Sequence, residues 1–295
     1  MTSGMTAVDV REVGPRDGLQ AEAPVQVFDR VRLIMALLEA GVRHIEVCSF
    51  VSPKAVPSMA DAAEVVAALP EIAGARYVAL VPNLKGAQLA IDAGIRELSV
   101  TISASPEYNE KNVRMTIGDS VDAIEAICAL GLPVDAVVSC AFGSPYEGDI
   151  PPADVAALSH RLVEVGAATL TLADTTGMAT PRRVNEVLAE TGVDIGLHLH
   201  ETRGTGLVNA YAALELGVQR FDTSVGGLGG SPFAAGAAGN LATEDLVHLL
   251  DDLGVETGID LDKLLAASAV AADVIGHPVP SRVAAAGPRT RLAAG

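Results

Sequence analysis

The chain has 295 residues, with 20 Lys plus Arg against 37 Asp plus Glu and a formal charge of −17. That acidity argues against nucleic acid or an anionic membrane as a partner, so an anionic substrate has to be met by a local basic or metallic site. Three cysteines without CxxC spacing, no basic-then-apolar opening in residues 1–6 and no apolar run of spanning length point to a soluble cytosolic protein, free of disulfides, signal peptide or membrane span.

Residues 8–13 alternate and run into Gly14-Pro15-Arg16-Asp17-Gly18, which predicts a strand entering a polar turn. Apolar residues at 31, 34, 35, 37 and 38 give 27–40 the period of an amphipathic helix, ended by Gly41. The same reading predicts strands at 44–49, 77–81, 97–102, 134–140 and 169–173. It places helices at 59–69, 86–93, 120–130, 152–165 and 181–190, the last two opened by proline. A seventh strand at 195–200 carries His198 and His200 and precedes a helix at 207–216. The eighth, at 220–225, runs into Gly226-Gly-Leu-Gly-Gly, and a helix at 243–253 closes the series.

Eight strand–helix repeats with mostly apolar strands predict a parallel sheet closed into a (β/α)8 TIM barrel. A doubly wound open sheet would want a glycine-rich dinucleotide loop after strand one, and Gly14–Gly18 does not have that pattern. Residues 254–280 add a short C-terminal helical appendage. Residues 1–280 are thus expected to form one catalytic domain, with 281–295 a flexible tail.

In such a barrel, catalytic residues belong at the C-terminal ends of strands. Strand one ends in Arg16 and Asp17, strand two contains Glu46, strand three ends in Asn83, strand six in Asp174, and strand seven in His198 and His200. Ser231, Asn240 and Glu244 follow strand eight. Alternation puts His198 and His200 on one side of their strand, where they can share a cation or simply hydrogen-bond in the core. A carboxylate buried in an apolar strand is costly unless it is paired or ligates a metal, which favours the first reading. Asp17, the two histidines and the carbonyl of Asn240 make a mixed oxygen and nitrogen set. It suits Mg²⁺ or Mn²⁺, with Zn²⁺ or Co²⁺ also compatible. Arg16 can present its fork of donors to an enolate oxygen, with Glu46 orienting it. The glycine-rich stretch 226–239 reads as a lid over the mouth, the alternative being a loose surface loop.

Five segments together resemble 3-hydroxy-3-methylglutaryl-CoA lyases. They are Gly14-Pro-Arg-Asp-Gly-Leu-Gln20, Ser49-Phe-Val-Ser-Pro-Lys54, Val81-Pro-Asn-Leu-Lys-Gly86, Val138-Ser-Cys-Ala141 with Pro145-Tyr-Glu-Gly148, and Gly226-Gly-Leu-Gly-Gly230 with Gly239-Asn-Leu-Ala-Thr-Glu-Asp-Leu-Val247. The likeness spans residues 8–265 and belongs to the metal-dependent lyase and acyltransferase barrels with an Arg-Asp-Glu signature. It implies Asp17, His198, His200 and Asn240 as metal ligands, Arg16 as the enolate's partner, Glu46 as its support, and Asp174 and Glu244 as further active-site groups. The implied reaction takes an acyl-CoA whose hydroxyl proton is removed by a base. The adjacent C–C bond breaks, and an acetyl-CoA enolate and acetoacetate result. A homodimer is also implied.

Two positions depart from the family pattern. Ser231 stands where the family has a cysteine active in proton transfer, and a hydroxyl is a far weaker acid than a thiol. Glu201 stands where an aspartate is expected. Ser231 keeps a different substrate open, such as a citramalyl-type thioester. The acyltransferase relatives usually carry further C-terminal domains, and only about 40 residues follow the eighth helix here. A non-catalytic scaffold is disfavoured by the joint presence of Arg16, Asp17, Glu46, His198, His200 and Asn240.

Overall fold

The structure, a computed structural model, describes residues 7–230 and 239–291. Strands β1 (Asp9–Glu12), β2 (His44–Ser49), β3 (Arg76–Leu80), β4 (Glu97–Ser103), β5 (Val134–Ser139), β6 (Thr169–Ala173), β7 (Gly196–His198) and β8 (Arg220–Thr223) close into one barrel in chain order. All pairs are parallel, and β8 closes on β1 with Asp9 opposite Arg220 and Glu12 opposite Thr223. The predicted (β/α)8 architecture is therefore the observed one. Parallel strands need a crossover between neighbours, and the helices supply it while covering the outer face of the sheet. β2 is buried along its whole length, which is why His44-Ile-Glu-Val-Cys-Ser shows little polar alternation.

Helices α1 (Val27–Glu39), α2 (Ala62–Ala67), α3 (Leu84–Ala93), α4 (Pro106–Val113), α5 (Ile117–Cys128), α6 (Pro152–Glu164), α7 (Pro181–Thr191), α8 (Gly206–Leu216) and α9 (Thr243–Leu253) form the outer ring. α4 was not expected from the sequence. It carries no apolar stripe, and its start is set instead by the Ser105 hydroxyl, which accepts the Tyr108 N–H at 3.0 Å, and by Pro106 in the first turn. Asn83, expected at the mouth, is engaged as the cap of α3, its Oδ1 accepting the Gly86 N–H at 3.0 Å.

β7 is shorter than predicted because the chain after β8 folds back along its end. Leu241 N–H donates to the Leu199 carbonyl at 2.9 Å, and His200 pairs with Asn240 in a single antiparallel bridge. The appendage is a helix, α10 (Leu261–Ile275). It buries Leu264, Ala267 and Ala271, and its Asp273 pairs with Arg32 of α1 at 2.5 Å.

The stretch expected as a flexible tail instead begins with α11 (Arg282–Ala286). Asp245 of α9 accepts the Ser281 hydroxyl at 2.7 Å and the Val283 N–H at 2.9 Å, and Ser281 N–H donates to the Gly226 carbonyl at 2.8 Å. Composition alone pointed to a tail; the buried carboxylate of Asp245 gives the segment a fixed anchor.

At the N-terminal end of the barrel a polar cavity of about 230 Å³ is lined by Asp9, Arg11, His44, Arg76, Glu97 and neighbours. Its charges pair with one another, as in Arg76–Glu97 at 2.8 Å and His44–Asp9 at 3.2 Å, so this end reads as structural. Among the described residues, no helix is long and apolar enough to cross a membrane.

Asp245→Ala should release the C-terminal segment, speeding amide exchange at Val283 and lowering stability by about 1–2 kcal/mol, as the loss of a capping carboxylate does. Hydrogen exchange followed by mass spectrometry checks this; unchanged exchange at 281–287 would show that Asp245 is not the anchor.

Candidate metal centre at the barrel mouth

Immediately after β1 the backbone makes a single π-helical turn, Gly14–Gly18, a wide turn often found at functional positions. The Val13 carbonyl accepts the N–H of Asp17 at 2.7 Å and of Gly18 at 3.3 Å, while Pro15 has no N–H to compete. A Cβ on Gly14 would meet Glu12 Oε1 at 2.6 Å, so only glycine lets the turn sit on that carboxylate. The result places Arg16 and Asp17 side by side, with Arg16 Nη1 donating to Asp17 Oδ1 at 2.6 Å.

Across the mouth, His198 ends β7 and His200 lies two residues beyond. Their Nε2 atoms are 3.1 Å apart, and the ligand atoms of Asp17, His198 and His200 all lie within 4.8 Å of one another. His198 Nδ1 faces Asp222 Oδ2 at 3.3 Å, which favours a proton on that nitrogen and, in the neutral ring, a lone pair on Nε2. A lone pair held that close to a second imidazole nitrogen calls for positive charge between them. Asn240 completes the group. Its Nδ2 donates to Asp17 Oδ2 at 2.8 Å and to the Leu228 carbonyl at 2.9 Å, while its buried Oδ1 has no hydrogen-bond partner. One carboxylate, two imidazoles and an unengaged amide oxygen fit a divalent cation better than a hydrogen-bonded core.

The surrounding charge favours a positive group at this position, a proton or a cation. Burial opposes charge on His198, yet the Asp222 hydrogen bond and the nearby Asp17 and Asp222 charges outweigh it and raise its pKa. Burial would likewise raise Asp17, but the Arg16 guanidinium and the histidines hold it below the ordinary carboxylate value. Glu46, buried on β2, accepts from Arg16 Nε through Oε2, while its Oε1 has no partner. Arg16 is thus gripped from two sides through Nε and Nη1, which leaves Nη2 for another acceptor.

Asp174, at the end of β6, is 1 % exposed. Its Oδ1 accepts the Met178 and Ala179 N–H groups at 2.7 and 2.8 Å, and its Oδ2 is buried without a partner. Burial pushes its pKa up to about 7 despite those bonds. Its own N–H donates to the His198 carbonyl at 2.8 Å, so it flanks the metal-ligand cluster.

Glu244 is placed differently from the expectation. Its carboxylate lies behind the loop base, accepting the Gly226 N–H at 2.9 and 3.0 Å and the Ser268 hydroxyl. Glu201, the second departure, turns away as well: Oε1 accepts the Leu207 N–H at 2.7 Å, capping α8. Ser231 and the central part of the expected lid, residues 231–238, lie outside the described residues. The two ends of that loop meet: a Cβ on Gly239 would stand 1.7 Å from the Gly227 carbonyl oxygen, so this crossing admits only glycine.

Two buried carboxylates next to the site escaped the sequence reading. Asp222, on β8, touches His198 as described. Glu12, on β1, accepts the Gly14 N–H at 2.7 Å, the Val225 N–H at 2.8 Å and the Thr243 hydroxyl at 2.6 Å. It thereby ties the π turn to the base of the glycine loop. The signal that exposed Glu46, an acid inside an apolar strand, marks both of these as well.

Residues 7–271 match the family model described as HMGL-like. The chain belongs to the HMGL-like family. Within it, the chain is 42% identical over 291 residues to the mitochondrial hydroxymethylglutaryl-CoA lyase of Bos taurus, covering 95% of this chain and 89% of that one. It is also 42% identical to the (R)-citramalyl-CoA lyase of Chloroflexus aurantiacus, over 96% of each chain. Among solved structures, an HMG-CoA lyase from Acinetobacter baumannii in complex with coenzyme A and 3-methylmalate superposes with a TM-score of 0.92. It shares 42% identity, with 98% and 97% of the two chains covered.

Burial raises Glu12 from an ordinary value of 4.5 to about 8, against its three hydrogen bonds. Between those values the folded chain keeps a proton that the unfolded chain has lost, so folding stability falls as pH rises from 5 to 8. Glu12→Gln is neutral throughout and should remove that part of the slope, an effect on the order of a few kcal/mol. Urea midpoints at pH 5.5 and 8 measure it; an identical slope in the variant would mean that Glu12 is ionised across the range.

Proposed function

We propose that this protein is a divalent-metal-dependent carbon–carbon lyase that cleaves a 3-hydroxy-3-methylglutaryl-CoA-like thioester to acetyl-CoA and a keto acid such as acetoacetate. The observation that carries the reading is the convergence of Asp17, His198 and His200 within 4.8 Å, beside an unengaged Asn240 Oδ1 and a braced Arg16. The named activities of the family members at 42% identity support it. Asp17, His198, His200 and Asn240 would hold Mg²⁺ or Mn²⁺, which when bound supplies a Lewis acid for substrate oxygens.

The remaining chemistry falls to side chains. Asp174 Oδ2 is the atom that takes the hydroxyl proton, because it is unpartnered and titrates near neutrality. As the C–C bond breaks, negative charge develops on the thioester oxygen of the departing acetyl-CoA unit. Arg16 Nη2 meets that charge, its other nitrogens fixed by Glu46 and Asp17 so that little reorganisation is needed. Glu46 therefore acts on geometry, and Glu244 on the loop base through Gly226. Ser231 then hydrogen-bonds or orders a water for the proton that returns to the enolate carbon.

The citramalyl-type reading is retained for two reasons. The (R)-citramalyl-CoA lyase is as similar in sequence as the hydroxymethylglutaryl-CoA lyases, and Ser231 departs from the family's thiol. We also propose a cytosolic homodimer: the cysteines Cys48, Cys128 and Cys140 are free thiols, which suits a reducing compartment, and the assembly follows the resemblance.

Isothermal titration of chelator-stripped protein with Mn²⁺ should show one site, which Asp17→Ala and His200→Ala abolish together with turnover. Turnover untouched by chelation would remove the metal from the mechanism. Asp174→Asn should keep Mn²⁺ affinity and lose at least about 100-fold in kcat, in line with loss of an acid–base group; a variant that loses only metal would reassign Asp174 to structure.

A panel of 3-hydroxy-acyl-CoA thioesters assayed for acetyl-CoA release chooses between the two substrates. On the 3-hydroxy-3-methylglutaryl thioester, Ser231→Cys should raise kcat by about tenfold or more if the proton donor limits the rate. An unchanged rate there, with faster cleavage of a citramalyl thioester by the natural chain, would favour the second reading.

A further inference from the structure

We infer that Asp222, clamped by Arg11, is a positioning residue that holds His198 in the tautomer and orientation needed to ligate the cation. The inference rests on the metal-centre reading above and extends it into the barrel interior, to residues that meet no substrate.

Asp222 lies on β8 with 6 % of its surface exposed, directly opposite His198 in the β7–β8 register. Arg11 grips it with two prongs, Nε to Oδ1 at 2.8 Å and Nη2 to Oδ2 at 2.6 Å. The same Oδ2 faces His198 Nδ1 at 3.3 Å. Arg11 is anchored in turn by Asp135, whose Oδ2 accepts its Nη1 at 2.8 Å. Asp135 is fixed by two hydroxyls of β6, Thr169 on Oδ1 at 2.7 Å and Thr171 on Oδ2 at 2.9 Å. The line therefore runs from threonines on β6 through Asp135, Arg11 and Asp222 to an imidazole at the mouth.

Three properties separate this line from an ordinary core ion pair. First, it is aimed: the two-pronged grip leaves Asp222 no freedom to rotate away from Nδ1. Second, its charges do not cancel. Two aspartates and one arginine leave one net negative charge, with Asp222 at the end touching His198. A neutral imidazole that donates to that carboxylate has its opposite nitrogen made more basic, which strengthens it as a ligand. Third, the other tautomer is opposed by Asp222. A ring protonated on Nε2 alone would set the bare Nδ1 lone pair against the Asp222 carboxylate 3.3 Å away. His198 is thus preset before any cation arrives, and Arg11 keeps Asp222 in place while it is unloaded.

The decisive measurement is Mn²⁺ affinity of the full chain by isothermal titration, alongside the tautomer of His198 in the Mg²⁺-loaded natural protein by ¹⁵N-histidine NMR. Asp222→Asn should weaken Mn²⁺ binding by about 10- to 100-fold, the usual effect of losing a carboxylate behind a histidine ligand. Arg11→Lys keeps the charge but not the fork, and should weaken binding in the same direction. Thr169→Val loosens only the far end; it should lower the melting temperature and leave Mn²⁺ affinity within about twofold, since it touches no group at His198.

Natural protein that binds no Mn²⁺ would remove the metal-centre reading itself. Natural protein that binds, with Asp222→Asn binding equally well, would overturn this inference alone. Should Asp222→Asn fail to fold, the NMR experiment still decides: His198 protonated on Nδ1 supports the chain of contacts, and His198 protonated on Nε2 overturns it.

Discussion

The mouth of this barrel is governed by the 3.1 Å approach of two imidazole nitrogens. Nitrogens at that distance repel unless a proton or a cation lies between them, and burial denies them water as a substitute. Several groups nearby answer that constraint with negative charge or an oxygen. The π turn after β1 brings Asp17 from one side. The chain after β8 folds back on β7 and brings Asn240 from another. Asp222 takes the outward nitrogen of His198, so the lone pair can only face inward. The fold does not merely surround the site; its strand ends and the π turn after β1 are what hold these atoms together.

A second layer of carboxylates serves the loops rather than the cation. Glu12, Glu244 and Asp245 are all buried, and each accepts backbone N–H groups: of Gly14 and Val225, of Gly226, and of Val283. Loop amides that lack a ladder partner need acceptors, and here buried acids supply them. The arrangement links the turn carrying Asp17 to the loop carrying Asn240, because Glu12 bonds to both sides of the gap. It also draws α11 into the same cluster through Ser281 and the Gly226 carbonyl. The acidity of the sequence is in this respect partly internal.

Much of the architecture was legible because repeated apolar runs separated by short turns leave few alternatives to a closed parallel sheet. The candidate ligands were legible for a chemical reason, since acids and histidines at the ends of apolar strands are costly without a partner. What escaped did so for physical reasons too. α4 has no apolar stripe because it lies at the surface, so periodicity could not reveal it. The C-terminal helix is held by one carboxylate distant in sequence, and composition carries no trace of such a bond. Glu244 and Asn83 have the right residue types beside the right elements, but they spend their oxygens on the backbone of Gly226 and Gly86. Residue type and strand position together do not say whether a side chain faces the mouth or caps its own loop.

The substitution at Ser231 bears on one half of the site only. Asp17 is fixed by Val13 and Arg16, His198 by Asp222, and Asn240 by Leu228 and Asp17, none of which depends on the identity of residue 231. Under the proposed reaction, a hydroxyl in place of a thiol would leave the cation ligands and Arg16 as they are and bear on proton return alone. That places the cost after the C–C bond has broken, where the enolate either collects a proton or recombines with the keto acid. Under that proposal the chain would bind and polarise its thioester through the same groups and differ in how its products partition. This is the step at which a different acyl group, with a keto acid that departs more readily, would restore net cleavage without a thiol.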